Sequence, residues 1–231
     1  MSSQSHRSHR LRFGLHAALL ATALTGARAA SAQTDYYNTD AGRPIQIEDA
    51  YAIERRGLEL QAAPLRLERS KGGVYRWGLE PELAAGLLPR TQLEVGVPLV
   101  YTDAGLGRHT TGLAGVDVSL LHNLNVETSL PALGVRADVL LPVGAFGPDK
   151  AYPSLTGIAT KTYPWARFHV NGQYTFGSAP AAAISTPVAT AQEVSRWMAG
   201  VAVDRTFPLR SMLVTGEVYA QRPLADGTDV E

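Results

Sequence analysis

No cysteine occurs anywhere in the 231 residues. That excludes structural disulfides, thiolate metal sites and a cysteine nucleophile. It also excludes a bacterial lipid anchor, which needs a cysteine directly after leader cleavage. An excess of one charge is lacking as well. Lys plus Arg and Asp plus Glu each number 21, so no strongly basic nucleic-acid surface is expected. Beyond the leader there is no apolar run near the about 20 residues that a membrane helix needs, which argues against a helical inner-membrane protein. Disorder is excluded by the 45% hydrophobic and 18% charged composition. The signatures G-x-S-x-G, H-E-x-x-H, the P-loop and G-x-G-x-x-G are all missing.

What is present begins with a leader. His6, Arg7, His9, Arg10 and Arg12 precede an Ala/Leu-rich stretch over residues 15–24, and Ala29, Ala30, Ser31 and Ala32 follow. Basic, apolar and small residues in that order are a cleavable signal peptide, with the cut after Ala32. The apolar core is too short to span a bilayer as a helix. The division expected is a signal peptide over 1–32, an N-terminal segment over 33–56 and a β domain over 57–231. The segment 33–56 lacks sustained alternation. It is read as lying in a lumen, at the periplasmic mouth, or as a solvated tail.

The rest of the chain carries a two-residue rhythm. Tyr75, Trp77, Leu79, Pro81, Leu83, Ala85 and Leu87 alternate with Arg76, Gly78, Glu80, Glu82, Ala84 and Gly86. A strand points successive side chains to opposite faces, so one face is apolar and the other charged or small. The pattern recurs over residues 57–67, with a phase slip at Pro64, and over 92–101, 112–124, 132–144, 166–176, 195–205 and 211–222. Ala114 is expected on the apolar face with Val116 and Val118. A weak strand over 155–162 has no readable faces.

Many runs reach the about 9–11 residues of a tilted membrane-crossing strand, whereas soluble strands average about 5–6. Short links (89–91, 163–165, 207–210) alternate with longer ones (102–111, 145–154, 177–194), as periplasmic turns alternate with extracellular loops. The fold expected is all-β: an antiparallel up-and-down transmembrane β-barrel of about nine strands. Bacterial barrels have even strand numbers, and an open edge cannot sit in hydrocarbon. The chain is therefore expected to be an incomplete product lacking its last strands.

The phases put Arg76, Glu80, Glu82, Glu94, Asp117, Arg136, Asp138, Arg167, His169, Asp204 and Glu217 on the polar face as candidate lumen-lining residues. A lipid-facing Arg or Lys at the midplane costs about 2–4 kcal/mol, so inward placement follows whatever the function. These groups are either a selectivity lining or a salt-bridged, plugged interior. Trp77, Tyr101, Trp165, Tyr174 and Trp197 suit interfacial girdles. His109 is expected in an exposed loop, His122 near a strand end and His169 as an ordinary inward polar group. No catalytic constellation is expected. Asp103 and Asp149 stand apart from other loop acids, so no calcium site is expected.

Several tracts carry a family likeness. They are Thr39-Asp40-Ala41-Gly42-Arg43-Pro44, Glu48-Asp49-Ala50, Leu58-Glu59-Leu60-Gln61, Gly78-Leu79-Glu80-Pro81-Glu82-Leu83, Leu88-Pro89-Arg90-Thr91-Gln92-Leu93-Glu94-Val95-Gly96 and residues 172–177. On these the chain resembles bacterial outer-membrane proteins described as transporters of the MetA-pathway of phenol degradation type. The resemblance implies an outer-membrane channel for small, hydrophobic or aromatic molecules, without catalytic residues or cofactors. The expected partners are outer-membrane lipid, the barrel-assembly machinery and a small-molecule substrate. The expected location is the outer membrane of a Gram-negative-type bacterium after Sec export. A non-transporting structural barrel and a soluble periplasmic ligand-binding barrel are the alternatives.

Overall fold

The computed structural model describes residues 39–42, 45–62, 65–69, 73–103, 105, 109–178, 194–207 and 212–224. The leader over 1–32, its cleavage site, Pro64 and most of the turn at 70–73 lie outside the described residues. Among the described residues there are thirteen strands and no helix. They are β1 (Leu58–Gln61), β2 (Leu65–Arg69), β3 (Tyr75–Leu79), β4 (Glu82–Leu88), β5 (Thr91–Gly96), β6 (Leu99–Asp103), β7 (His109–Leu113), β8 (Val116–Asn123), β9 (Ala132–Leu141), β10 (Tyr152–Tyr163), β11 (Ala166–Thr175), β12 (Ser195–Thr206) and β13 (Leu213–Pro223).

The pairing is wholly antiparallel and follows chain order. One sheet runs β1-β4-β5-β8-β9-β10-β11-β12-β13, the other β2-β3-β6-β7. The two sheets share four long strands. Residues 80–81, 97–98 and 114–115 interrupt β3/β4, β5/β6 and β7/β8 at one level, because Leu79 pairs with Leu99 above the break and Glu82 with Gly96 below it, and β1 ends and β2 begins on either side of the same level. The nine long strands expected from the alternation are therefore present as an up-and-down meander. Closure is not seen: no pairing joins β1 to β13 among the described residues.

The faces follow the alternation. Leu58, Leu60, Leu65, Leu67, Trp77, Leu83, Leu120, Leu133, Val170, Val201, Val214 and Val218 are exposed on the outer face. Glu80, Glu82, Glu94, Arg136, His169 and Asp204 are buried on the other. Ala114 departs from its expected face. It is buried beside Val100 and Phe146. Three residues (114–116) stand opposite Val97 and Pro98 between the pairs Leu99–Leu113 and Gly96–Asp117. The extra residue is a bulge, with Gly115 at φ 102°, and it reverses the phase.

The strand read as weak is the twelve-residue β10. Tyr152, Ser154, Thr156, Ile158 and Thr160 point inward and are buried, while Pro153, Leu155 and Gly157 point outward and are exposed. Small and mixed side chains on both faces hid its rhythm.

Candidate functional site: the polar inner wall and the strap across it

The inner wall is built from rows of side chains set by register. Thr160, His169, Ala202 and Glu217 lie side by side across β10 to β13. Glu94, Ser119, Asp138 and Ser154 form another row across β5, β8, β9 and β10. Each residue faces inward because its strand neighbours carry the apolar outer face.

Residues 45–56 form a strap that crosses this wall. At one end the Gln46 and Ile47 amides donate to Glu217 Oε2 at 2.7 and 3.1 Å. Ala50 N–H donates to Thr160 Oγ1 at 2.9 Å, and Ala50 O accepts from Asn123 Nδ2 at 2.8 Å. Ile53 N–H donates to Gln92 Oε1 at 2.6 Å. At the other end Arg56 N–H donates to Gly86 O at 2.7 Å, and Gly86 N–H to Gly57 O at 3.0 Å.

Ile47, Glu48, Asp49 and Ala50 are 0, 2, 1 and 0% exposed. Successive residues of an extended segment point opposite ways, so one laid on a flat sheet keeps a side to water. Here Ile47 packs with Met198 and Ala202, Glu48 reaches Arg136, and Ala50 packs on Leu121, Ala132 and Ile158. The wall therefore wraps around the strap. The solvated-tail reading of this segment does not hold for residues 45–50, which are wholly or largely buried.

Arg136 is the centre of the charged part. Its guanidinium lies 3.1 Å from Glu48, 3.2 Å from Glu94, 3.9 Å from Asp117 and 2.5 Å from Asp138. Glu94 also accepts from Ser119 Oγ at 2.6 Å and from Gln92 Nε2. A second group joins Arg167, Asp204, His169 and Thr160. Arg167 donates to both Asp204 oxygens at 2.9 and 2.8 Å. His169 Nε2 is 3.0 Å from Asp204 Oδ2, and His169 Nδ1 is 3.0 Å from Thr160 Oγ1. Asp204 can only accept when ionised, so it fixes the proton on Nε2, and Nδ1 then accepts from Thr160. The chain Asp204–His169–Thr160 has the residue types of a hydrolase triad. It is fully buried, and the Thr160 oxygen already receives the Ala50 amide, so it holds the strap instead of facing a substrate.

A third contact fastens the strap outside the strands. Tyr51 Oη donates to Glu127 Oε2 at 2.6 Å, Thr162 N–H to Glu127 Oε1 at 2.8 Å, and Lys161 Nζ lies 3.2 Å from Oε1. Partial burial works against the charged carboxyl, and the hydrogen bonds from Tyr51, Thr162 and Lys161 outweigh it, holding Glu127 down from its ordinary 4.5 to about 2. A lowered folded-state value adds stability above the ordinary value, and that stability is lost as pH falls through the folded one. The melting-temperature gap between the natural protein and Glu127→Gln should thus stay constant above pH 4.5 and close as pH falls toward 2. A gap that persisted at the acid end would contradict this.

The eleven expected inward residues divide by environment. Arg136 gathers Glu94, Asp117 and Asp138 with the strap's Glu48, and Asp204 links Arg167 with His169, which meets Thr160. Glu217 holds the strap's first amides. Glu80 sits 3.7 Å from Arg66 near the break in the strands, with Glu82 buried just beyond it and Arg76 part-buried in β3. Sequence reasoning named Glu48 and Asp49 only within the family tracts and did not place them, Asn123 or Thr160 at the inner wall, although the alternation Ile45-Gln46-Ile47-Glu48 was a signal of a buried extended segment. Among the described residues no group of three or more His, Cys, Asp or Glu side chains could hold a metal ion.

These features define the class: an all-β antiparallel meander, apolar outside, with a charged inner wall occupied by its own N-terminal strap. No family model matches the chain, and no curated protein matches it.

Proposed function

We propose that the chain is an outer-membrane β-barrel protein that passes small molecules, with outer-membrane lipid around it. The observation that carries this reading is the inverted polarity of the sheet. Val201, in the middle of β12, is 52% exposed, while its neighbour Ala202 and the charged Asp204 are buried. A water-soluble sandwich buries the opposite face. The outer surface also carries aromatic groups at two levels. Tyr163, Trp165 and Phe168 cluster at the short-turn end, and Tyr174 and Phe176 pack edge to face at the other. From Trp165 to Tyr174 is about 30 Å of strand, or about 21–24 Å along the normal at a tilt of about 35–45°, close to the about 25 Å apolar band of outer-membrane barrels. The substrate class, small hydrophobic or aromatic molecules, rests on the family resemblance of the sequence alone.

Fractionation tests membrane residence. The protein should sediment with membranes and need detergent for release; recovery in the soluble periplasm would refute it. Val201→Arg gives a second readout. Facing lipid near the midplane it should cost about 2–4 kcal/mol; on a water-facing surface it should stay within about 0.5 kcal/mol. Urea unfolding in lipid vesicles measures the difference. Flux of small aromatic compounds and of sugars into vesicles tests transport. The buried strap supports one second reading, a structural barrel without transport, and absence of all flux would favour it.

A further inference from the structure

The geometry points to the strap as a displaceable stopper: residues 45–56 close the inner space at the short-turn end, and passage requires them to swing out about a pivot at residues 56–57. This rests on the transport reading above. Residues 47–50 are almost without water contact, so among the described residues strap and wall meet there without a wetted gap between them. Solute crossing there must displace them.

Four observations make displacement feasible. No wall ladder runs through the strap, since β4 to β13 pair with one another. Departure therefore leaves the sheet intact. The strap's amides at Gln46, Ile47, Ala50 and Ile53 are held by side-chain acceptors that water in an open lumen can replace. Arg136 keeps Glu94, Asp117 and Asp138 when Glu48 leaves. Finally, the reciprocal backbone bonds between Gly86 and residues 56 and 57 tether the segment at one end.

The natural chain has no cysteine, so a disulfide can lock the strap. A Cβ on Gly134 would lie 3.4 Å from the Ala50 Cβ, near the about 3.5–4.5 Å of disulfides. In planar bilayers, oxidised A50C/G134C should lose ion conductance and regain it on reduction. In the folded single variant A50C, the thiol should react with a small charged maleimide. Equal and measurable conductance in both redox forms, with the disulfide verified by mass, overturns the stopper. So does a thiol at 50 that never reacts. Should those cysteines impair folding, Glu217→Ala with Thr160→Val removes acceptors along the strap and should raise conductance above the natural protein's; unchanged conductance overturns the proposal. If A50C reacts while neither redox form nor the natural protein conducts, displacement stands and the transport reading fails.

Discussion

Replacing Arg136 by Met is expected to remove about 3–5 kcal/mol of stability, the usual result of deleting one partner of a buried ion pair. Met follows the aliphatic stem of Arg136 and stops short of the guanidinium, so the loss combines the missing charge with the missing donors and their contacts. Four carboxylates, from Glu48, Glu94, Asp117 and Asp138, would then face one another without the guanidinium between them. Glu48→Gln should do far less, because Arg136 keeps its other three neighbours. In combination, R136M with E48Q should be less damaging than R136M alone, since one of the stranded charges has gone. Lys at 136 should rescue only in part. An ammonium is a point charge and cannot present the forked donors that reach several carboxylates at once. Urea midpoints in detergent micelles measure all four variants. A loss under 1 kcal/mol for R136M, on the scale of an exposed pair, would show that this cluster is hydrated and not buried.

Gly86→Ala should be nearly as harmful for a purely steric reason. A Cβ at Gly86 would sit 2.0 Å from the Glu54 carbonyl oxygen and 2.7 Å from its carbon. Both are backbone atoms, so no rotamer change relieves the overlap. The strap must lift, and the reciprocal bonds of Gly86 with residues 56 and 57 must lengthen. Overpacking of this kind costs about 1–3 kcal/mol. Hydrogen exchange should quicken at the amides of Ile47, Ala50 and Ile53, which are protected by the strap's seat on Glu217, Thr160 and Gln92 of the wall. Gly157 and Gly172 are the controls. They face each other across β10 and β11 on the outer side, and an added Cβ meets nothing within 4 Å. Ala at either should leave both stability and strap exchange unchanged. Equal losses at all three glycines would trace the effect to strand propensity and not to the strap.

The alternation of Tyr75, Trp77 and Leu79 with Arg76, Gly78 and Glu80 made the meander readable, because a two-residue period has only one face assignment that hides the charges. It failed in two places, for different reasons. Leu121, Ile158 and Met198 are apolar yet point inward, and Ile158 helped to hide the rhythm of β10, while β8 and β12 stayed readable. All three lie under the strap, against Ala50 or Ile47. Under its own N-terminal segment the wall carries both apolar side chains, which pack on Ile47 and Ala50, and polar ones, which bind the strap's backbone. Ala114 failed for another reason, the bulge at Gly115, which a period count cannot anticipate. The site was half legible in the same way. Arg136, His169 and Asp204 followed from phase, whereas Glu48 and Thr160 depend on a contact between residues far apart in the chain.

The interruption of β3/β4, β5/β6 and β7/β8 bears on how a broken ladder would keep its amides paired if, as proposed, the outer face meets lipid. A break in a ladder ordinarily strands a donor, and hydrocarbon offers nothing to accept it. Pro81 and Pro98 stand at two of these breaks, and a proline has no amide hydrogen to strand. Their carbonyls are answered by Val97 N–H and Ala114 N–H, both at 2.9 Å, and the Gly115 amide finds Val143 O at the same distance. At these breaks the wall passes from one sheet to the other with the Val97, Ala114 and Gly115 donors each answered by a carbonyl across the interruption.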